Sequence, residues 1–362
     1  MKPSGRLLGS VALVAMAIGC NADQPSGLDG SRRSVMFDAL AASEAPLVEH
    51  IVAPQATDPA IDRFLDNHYV WLDTSARANH ELLVFMPGTG QVPAMFQLVQ
   101  QEAARLGYHV IGLSYLNSGG FAKVCPIAPD PASCYEGSRL EVIDGIDRSP
   151  FVNVNPANSI DNRLTKLLEF LGAQYPDEGW TQFLAAGEPN WRLIAVSGLS
   201  QGGGEAVMIG RIRLVARVVM FSSLTDSLLG GGSVPWVGAR HVTPVNRYWG
   251  LAHDRDAFFP AILAAWDSIG LAAFGPAAIV ESGDPPYGWT HMLVTDLTPH
   301  GGLVGPNAHV SPATDAFTPL APDGTPLLRD AWDYSLTGLP RRPGRGEQVA
   351  RHAAGDASVT TR

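Results

Sequence analysis

Cysteine is scarce, three in 362 residues, so a disulfide-built fold is excluded and the chain must rely on a hydrophobic core. Charge is also sparse, at 17% of residues against 46% hydrophobic, and the formal net charge is -10. With no basic stripe to offset repulsion from phosphates, nucleic acid is not an expected partner. The apolar stretch at residues 7–18 is too short to span a bilayer. Ten histidines are present, but no His-Glu-x-x-His or comparable ligand run, which disfavours metal-dependent hydrolysis. Repeats at solenoid periods are missing too. What remains is a globular composition long enough for one large domain with tails.

The first residues read as an export signal. Lys2 and Arg6 form a short basic region, the apolar stretch follows, and Ala17-Ile18-Gly19-Cys20 ends it. This resembles a bacterial lipoprotein signal, which implies removal of residues 1–19 and a lipid on Cys20; the alternative is a plain secretory signal with Cys20 incidental. Asn21, rather than aspartate, after the lipid site points to the outer membrane or cell surface by the sorting rule of enteric bacteria. Residues 20–59 are rich in Ser, Ala, Asp, Pro and Gly without sustained periodicity, as in a largely disordered tether. The tail, 340–362, has five Arg against one Glu and one Asp and reads as a solvated disordered end. In an exported chain Cys125 and Cys134 are expected to pair across a loop marked by Pro126, Pro129 and Pro131, the alternative being two free thiols.

The chemistry centres on Gly198-Leu199-Ser200-Gln201-Gly202. With 38 glycines in the chain the pentapeptide alone decides little, so context matters. An apolar run leads into it and a small-residue helix start follows, the layout of a nucleophile elbow with serine on a strained turn between strand and helix. Upstream, residues 81–87 read as a buried strand running into Gly88-Thr89-Gly90, before an amphipathic stretch at 92–106. In this layout one oxyanion N–H comes from Thr89 or Gly90 and the other from Gln201. The alternative for the glycine turn is an ordinary strand-to-helix connection.

Further strands are expected at 109–115, 193–196, 217–222, 246–251 and 277–281, with helices at 158–171, 201–211, 257–271 and 328–336. Such alternation predicts an α/β fold, a mostly parallel sheet with helices on both faces, occupying 60–339. The stretch at 117–155 breaks the rhythm and reads as an inserted cap or rim over the site.

A serine nucleophile needs a base and a group orienting that base, in chain order serine, acid, histidine. Asp256, after the expected strand at 246–251, is the leading acid, with Asp254 its rival and Asp226 third; each could instead be a helix cap or surface carboxylate. His291, His300 and His309 follow the last expected strand. His291 is the leading base because it lies about ten residues past that strand, and His309 is its rival.

Several segments together are similar to a thinly characterised bacterial family of exported α/β-hydrolases. They are Phe85-Met86-Pro87-Gly88-Thr89-Gly90; Cys125, and Cys134-Tyr135 with Arg139-Leu140-Glu141; Gly179-Trp180; Ser197 through Gly204; His253 with Asp256; Pro285-Pro286-Tyr287-Gly288; and Asn307-Ala308-His309. The resemblance covers residues 82–339 and implies a serine-hydrolase fold. The expected activity is hydrolysis of small or lipid-like carboxylic esters through an acyl-enzyme, with no cofactor and no metal, and with the membrane reached through the lipid anchor. Acyl transfer or amide cleavage by the same triad, and a surface lipoprotein that binds ligands without chemistry, are the alternatives.

Overall fold

The computed structural model describes residues 47–339, except Leu303 and the side chain of Ala122. The expected signal with Cys20, most of the expected tether and the tail lie outside the described residues. The sheet has nine strands. At one edge β1 (Val48–Val52) and β2 (His68–Leu72) pair antiparallel, and β2 pairs antiparallel with β4 (His109–Gly112). From β4 onward every ladder is parallel, through β3 (Leu82–Met86), β7 (Ile194–Leu199), β8 (Arg217–Phe221), β9 (Tyr248–His253), β11 (Met292–Thr295) and β10 (Ala278–Ile279). A separate two-stranded hairpin, β5 (Leu184–Ala185) and β6 (Glu188–Pro189), stands apart.

The central strands are buried at every position because both sheet faces are covered. Side chains alternate between two cores as a period of two requires. Leu82, Val84 and Met86 of β3, Ile194 and Val196 of β7, and Val218 and Met220 of β8 face one core. It is closed by α4 (Pro131–Asp144), α5 (Ile160–Gln174), α6 (Gln201–Ile212) and α7 (Phe259–Ile269). Leu83, Phe85, Ala195, Val219 and Phe221 face the other, under α2 (Gln97–Arg105) and α9 (Arg329–Thr337). Each such fully buried aliphatic or Phe side chain contributes about 1.5–3 kcal/mol. Short helices α1 (Pro54–Thr57), α3 (Phe121–Val124) and α8 (Gly305–Val310) complete the set. None of the described helices is long and apolar enough to cross a membrane.

Three departures from the sequence expectations matter. The folded part begins before residue 60, since β1 and α1 fall inside the expected tether; β1 pairs along its whole length with β2, which a composition reading misses. The 117–155 stretch contains the fourteen-residue helix α4, whose Tyr135, Ser138, Arg139, Val142 and Ile143 are buried, so this part of the insertion packs against α5 and α6 instead of forming a rim. The last long strand is β11, not 277–281, where only the two-residue β10 forms at the sheet edge. A four-residue apolar run is a faint signal that pairing on both sides stabilises.

Cys125 and Cys134 form a disulfide, nine residues apart, at the start of α4. A loop this short constrains the unfolded chain by about 2–3 kcal/mol in the entropic description. Reduction should therefore lower the thermal midpoint and add two daltons; alkylation of both thiols in exported, unreduced protein would contradict the pairing in the cell.

Candidate active site

Strand order reverses beside β3. The chain passes from β3 through α2 to β4 on one side, then returns to β7 on the other side and steps outward through β8 and β9. In an open α/β sheet the crevice outside the carboxyl ends of the strands at such a reversal is where ligands bind. Gly88-Thr89-Gly90 emerges there from β3, and Ser200 emerges there from β7.

Ser200 sits between β7 and α6 with φ 52° and ψ -113°, a backbone conformation unfavourable for a residue with a side chain. Tertiary bonds hold it there: its N–H donates to Phe221 O at 2.9 Å, and its carbonyl accepts from Gly204 N at 3.0 Å and from Ser223 Oγ at 2.9 Å. The flanking glycines are required by close approach. A Cβ on Gly198 would lie 2.5 Å from the Gly202 carbonyl carbon, and one on Gly202 would lie 2.6 Å from Pro87 O; both would overlap Met86 O.

The oxyanion candidates separate. The Gly90 N–H is engaged by Asn117 O at 3.2 Å, so it is not free to donate to substrate. Thr89 is the remaining donor on that loop, and its Oγ1 donates to Gln201 Oε1 at 2.8 Å, linking the two segments whose N–H groups would flank the oxyanion. Gln201 opens α6, where first-turn N–H groups have no partner within the helix.

Asp256 follows β9, at the same end of the sheet. It is buried, and its two oxygens have different partners: Oδ1 accepts from Phe258 N at 2.9 Å, within the turn that precedes α7, while Oδ2 accepts from His309 Nδ1 at 2.7 Å. The helix cap expected as its alternative role is not made, because α7 starts at Phe259 with Phe258 at the capping position and no side-chain bond there. An ionised carboxylate only accepts, so the bond is donated by Nδ1–H, and a neutral imidazole held this way presents Nε2 as an acceptor. The Phe258 ring lies 5.2 Å from the imidazole, and the His309 side chain keeps 18% exposure. No hydrogen bond joins Ser200 Oγ to His309 among the described residues; contacts of this kind commonly tighten only with substrate in place.

The expectation that His291 meets Asp256 is corrected. His291 immediately precedes β11, and the Gly250 N–H of β9 donates to its carbonyl at 2.9 Å. Because β9 and β11 are parallel, His291 lies at the amino ends of the strands, whereas Ser200 and Asp256 lie beyond the carboxyl ends. Its Nδ1 donates to Tyr248 O at 2.8 Å, and its ring is stacked between Phe274 at 3.9 Å and Trp249 at 4.1 Å. Arg217 covers the far face of Trp249 at 3.8 Å. Burial, assisted by the Arg217 charge, pushes the imidazole down to about 4 and keeps it neutral at pH 7. The rival acids also lie elsewhere: Asp254 contacts His253 and Arg255, and Asp226 holds Arg139. His300 donates its backbone N–H to Phe317 O at 2.9 Å.

No protein-family model and no curated protein matches this chain.

Beneath the elbow lies a charge cluster that joins Arg139, named above only among the segments of the resemblance, and Asp226, the third candidate acid, to Glu205, which carried no sequence expectation. Arg139 of α4, 2% exposed, donates through Nε to Asp226 Oδ2 at 2.7 Å and through Nη2 to Asp226 Oδ1 at 2.5 Å. Its Nη1 donates to Glu205 Oε1 and to Gln201 O, each at 3.1 Å. The available signal was Gly204, the second glycine past the pentapeptide, where a Cβ would overlap the guanidinium. One cation faces two carboxylates, and Glu205 Oε2 is buried without a partner among the described residues. Burial pushes the Glu205 carboxyl up to about 8; Arg139 opposes the rise and the Asp226 charge adds to it.

The folded state therefore retains a proton on Glu205 that the unfolded chain releases near the ordinary value of 4.5. The associated stability is fully present below that value and is lost as pH rises through about 8. Glu205→Gln, which imitates the protonated side chain, should flatten the decline of thermal midpoint between about pH 5 and about pH 9. An unchanged slope in that variant would show that Glu205 is ionised throughout.

Proposed function

We propose that this protein is a serine hydrolase of carboxylic esters with an α/β-hydrolase fold. Ser200 is its nucleophile, His309 its base, Asp256 the group orienting that base, and the N–H groups of Thr89 and Gln201 its oxyanion donors. The observation that carries the reading is Ser200 itself, held at positive φ by tertiary bonds and crowded glycines, at the sheet end that also bears the Asp256–His309 pair. A binding module has no need of such a strained serine. In the proposed reaction His309 Nε2 takes the Ser200 proton as Oγ attacks the ester carbonyl, and Asp256 stabilises the imidazolium. His309 then protonates the leaving alcohol, and water, deprotonated by the same nitrogen, releases the acid from the acyl-enzyme.

The exported, lipid-anchored location implied by the first twenty residues fits access to small or lipid-like esters and forms part of the proposal. Labelling with a fluorophosphonate, followed by identification of the modified residue, tests the reading: modification of Ser200 supports it, and an unlabelled Ser200 in folded protein refutes it.

A further inference from the structure

We propose that Arg139 is a positioning residue for the serine site, its guanidinium clamping the first turn of α6 through the Gln201 carbonyl so that the Gln201 N–H stays aimed beside Ser200. The inference rests on the ester-hydrolase reading and extends it to the 117–155 insertion.

One guanidinium joins three chain segments. Arg139 belongs to α4, Gln201 and Glu205 to the helix that follows the serine, and Asp226 to the connection leaving β8. That same connection supplies Ser223, whose Oγ donates to Ser200 O at 2.9 Å, so Asp226 and Ser223 bring the loop against the elbow at two points. The two parallel bonds to Asp226 fix the plane of the fork, which a lysine cannot reproduce. With that plane fixed, Nη1 is aimed at the Gln201 carbonyl, a neutral acceptor with no part in charge balance. A carbonyl has two lone pairs, so this bond adds a restraint to the helical one without displacing it. Phe121 and Trp236 flank the guanidinium at 5.3 Å and 6.0 Å and close it from water. The Cys125–Cys134 disulfide ties the start of α4 little more than one turn before Arg139, anchoring the helix that carries the clamp. Gly204 leaves room for the fork against the helix, because a Cβ there would occupy the guanidinium's place.

The test uses the mature chain with Arg139→Lys, Asp226→Asn and the double variant. Two readouts are taken: kcat and KM for p-nitrophenyl acetate, and hydrogen–deuterium exchange of the peptide covering residues 198–208. A displaced oxyanion donor should lower kcat by about 10- to 100-fold, since misplacement on the order of 1 Å costs that much. KM should stay within about threefold, as expected when the lost interaction acts mainly in the transition state. Exchange across 198–208 should quicken, and the double variant should be no slower than the slower single one, because both break the same fork. Lysine keeps the charge without the fork, so its failure to restore kcat separates geometry from electrostatics. A folded Arg139→Lys protein with wild-type kcat and wild-type exchange overturns the proposal. If Arg139→Lys does not fold, Asp226→Asn carries the same two readings. An unlabelled, inactive wild type would defeat the hydrolase reading alone, and the exchange measurement would still decide whether Arg139 holds the turn.

Discussion

Ser200→Ala should abolish hydrolysis of short activated esters, with kcat falling by ~10⁴-fold or more, because the acyl-enzyme cannot form. The fold should survive. The bonds that hold the elbow run through the Ser200 backbone, to Phe221 O, Gly204 N and Ser223 Oγ, and none depends on the Oγ that is removed. Circular dichroism and the thermal midpoint should therefore match wild type while fluorophosphonate labelling disappears. Undiminished turnover by the folded variant would rule out serine catalysis, and the positive φ at Ser200 would then need a different reason.

The second large effect separates two histidines. His309→Ala should lower kcat by ~10⁴-fold, and Asp256→Asn should approach the same loss by freeing the imidazole to take the wrong tautomer. His291→Ala should leave the chemistry intact and instead destabilise the fold by about 2–3 kcal/mol, since it removes a ring stacked on both faces and its bond to Tyr248 O. The measurements are ester turnover and denaturant unfolding on both histidine variants. An inactive His291→Ala of normal stability beside an active His309→Ala would reverse the assignment.

Spacing favoured His291, about ten residues past the last expected strand, although His309 shares with it a downstream aspartate and then a proline. Which end of the sheet a residue occupies depends on where the strands start and stop. The run Met292–Thr295 is too short to announce itself as a strand, and once it pairs with β9 it carries His291 to the amino ends. The same effect moved β9, expected at 246–251 and found at Tyr248–His253, where parallel pairing with β8 and β11 sets its limits. Arg139 was legible only as part of a resembling segment; its partners were not, because they are 62 to 87 residues away.

From the sequence alone came the α/β alternation, the Ser200 turn between strand and helix, the glycine turn after β3, Asp256 with its rival, and the Cys125–Cys134 pair. These were legible because they rest on near neighbours: apolar runs, glycines flanking a turn, and cysteines on either side of a proline-rich loop. Tertiary structure alone decided that His309 meets Asp256, that the Gly90 N–H is engaged by Asn117, that β1 joins the sheet, and that α4 sends Arg139 under the elbow. Each of those contacts joins segments remote in sequence, and their pairing is set by which sheet end, which face and which register the whole chain adopts in burying its two cores.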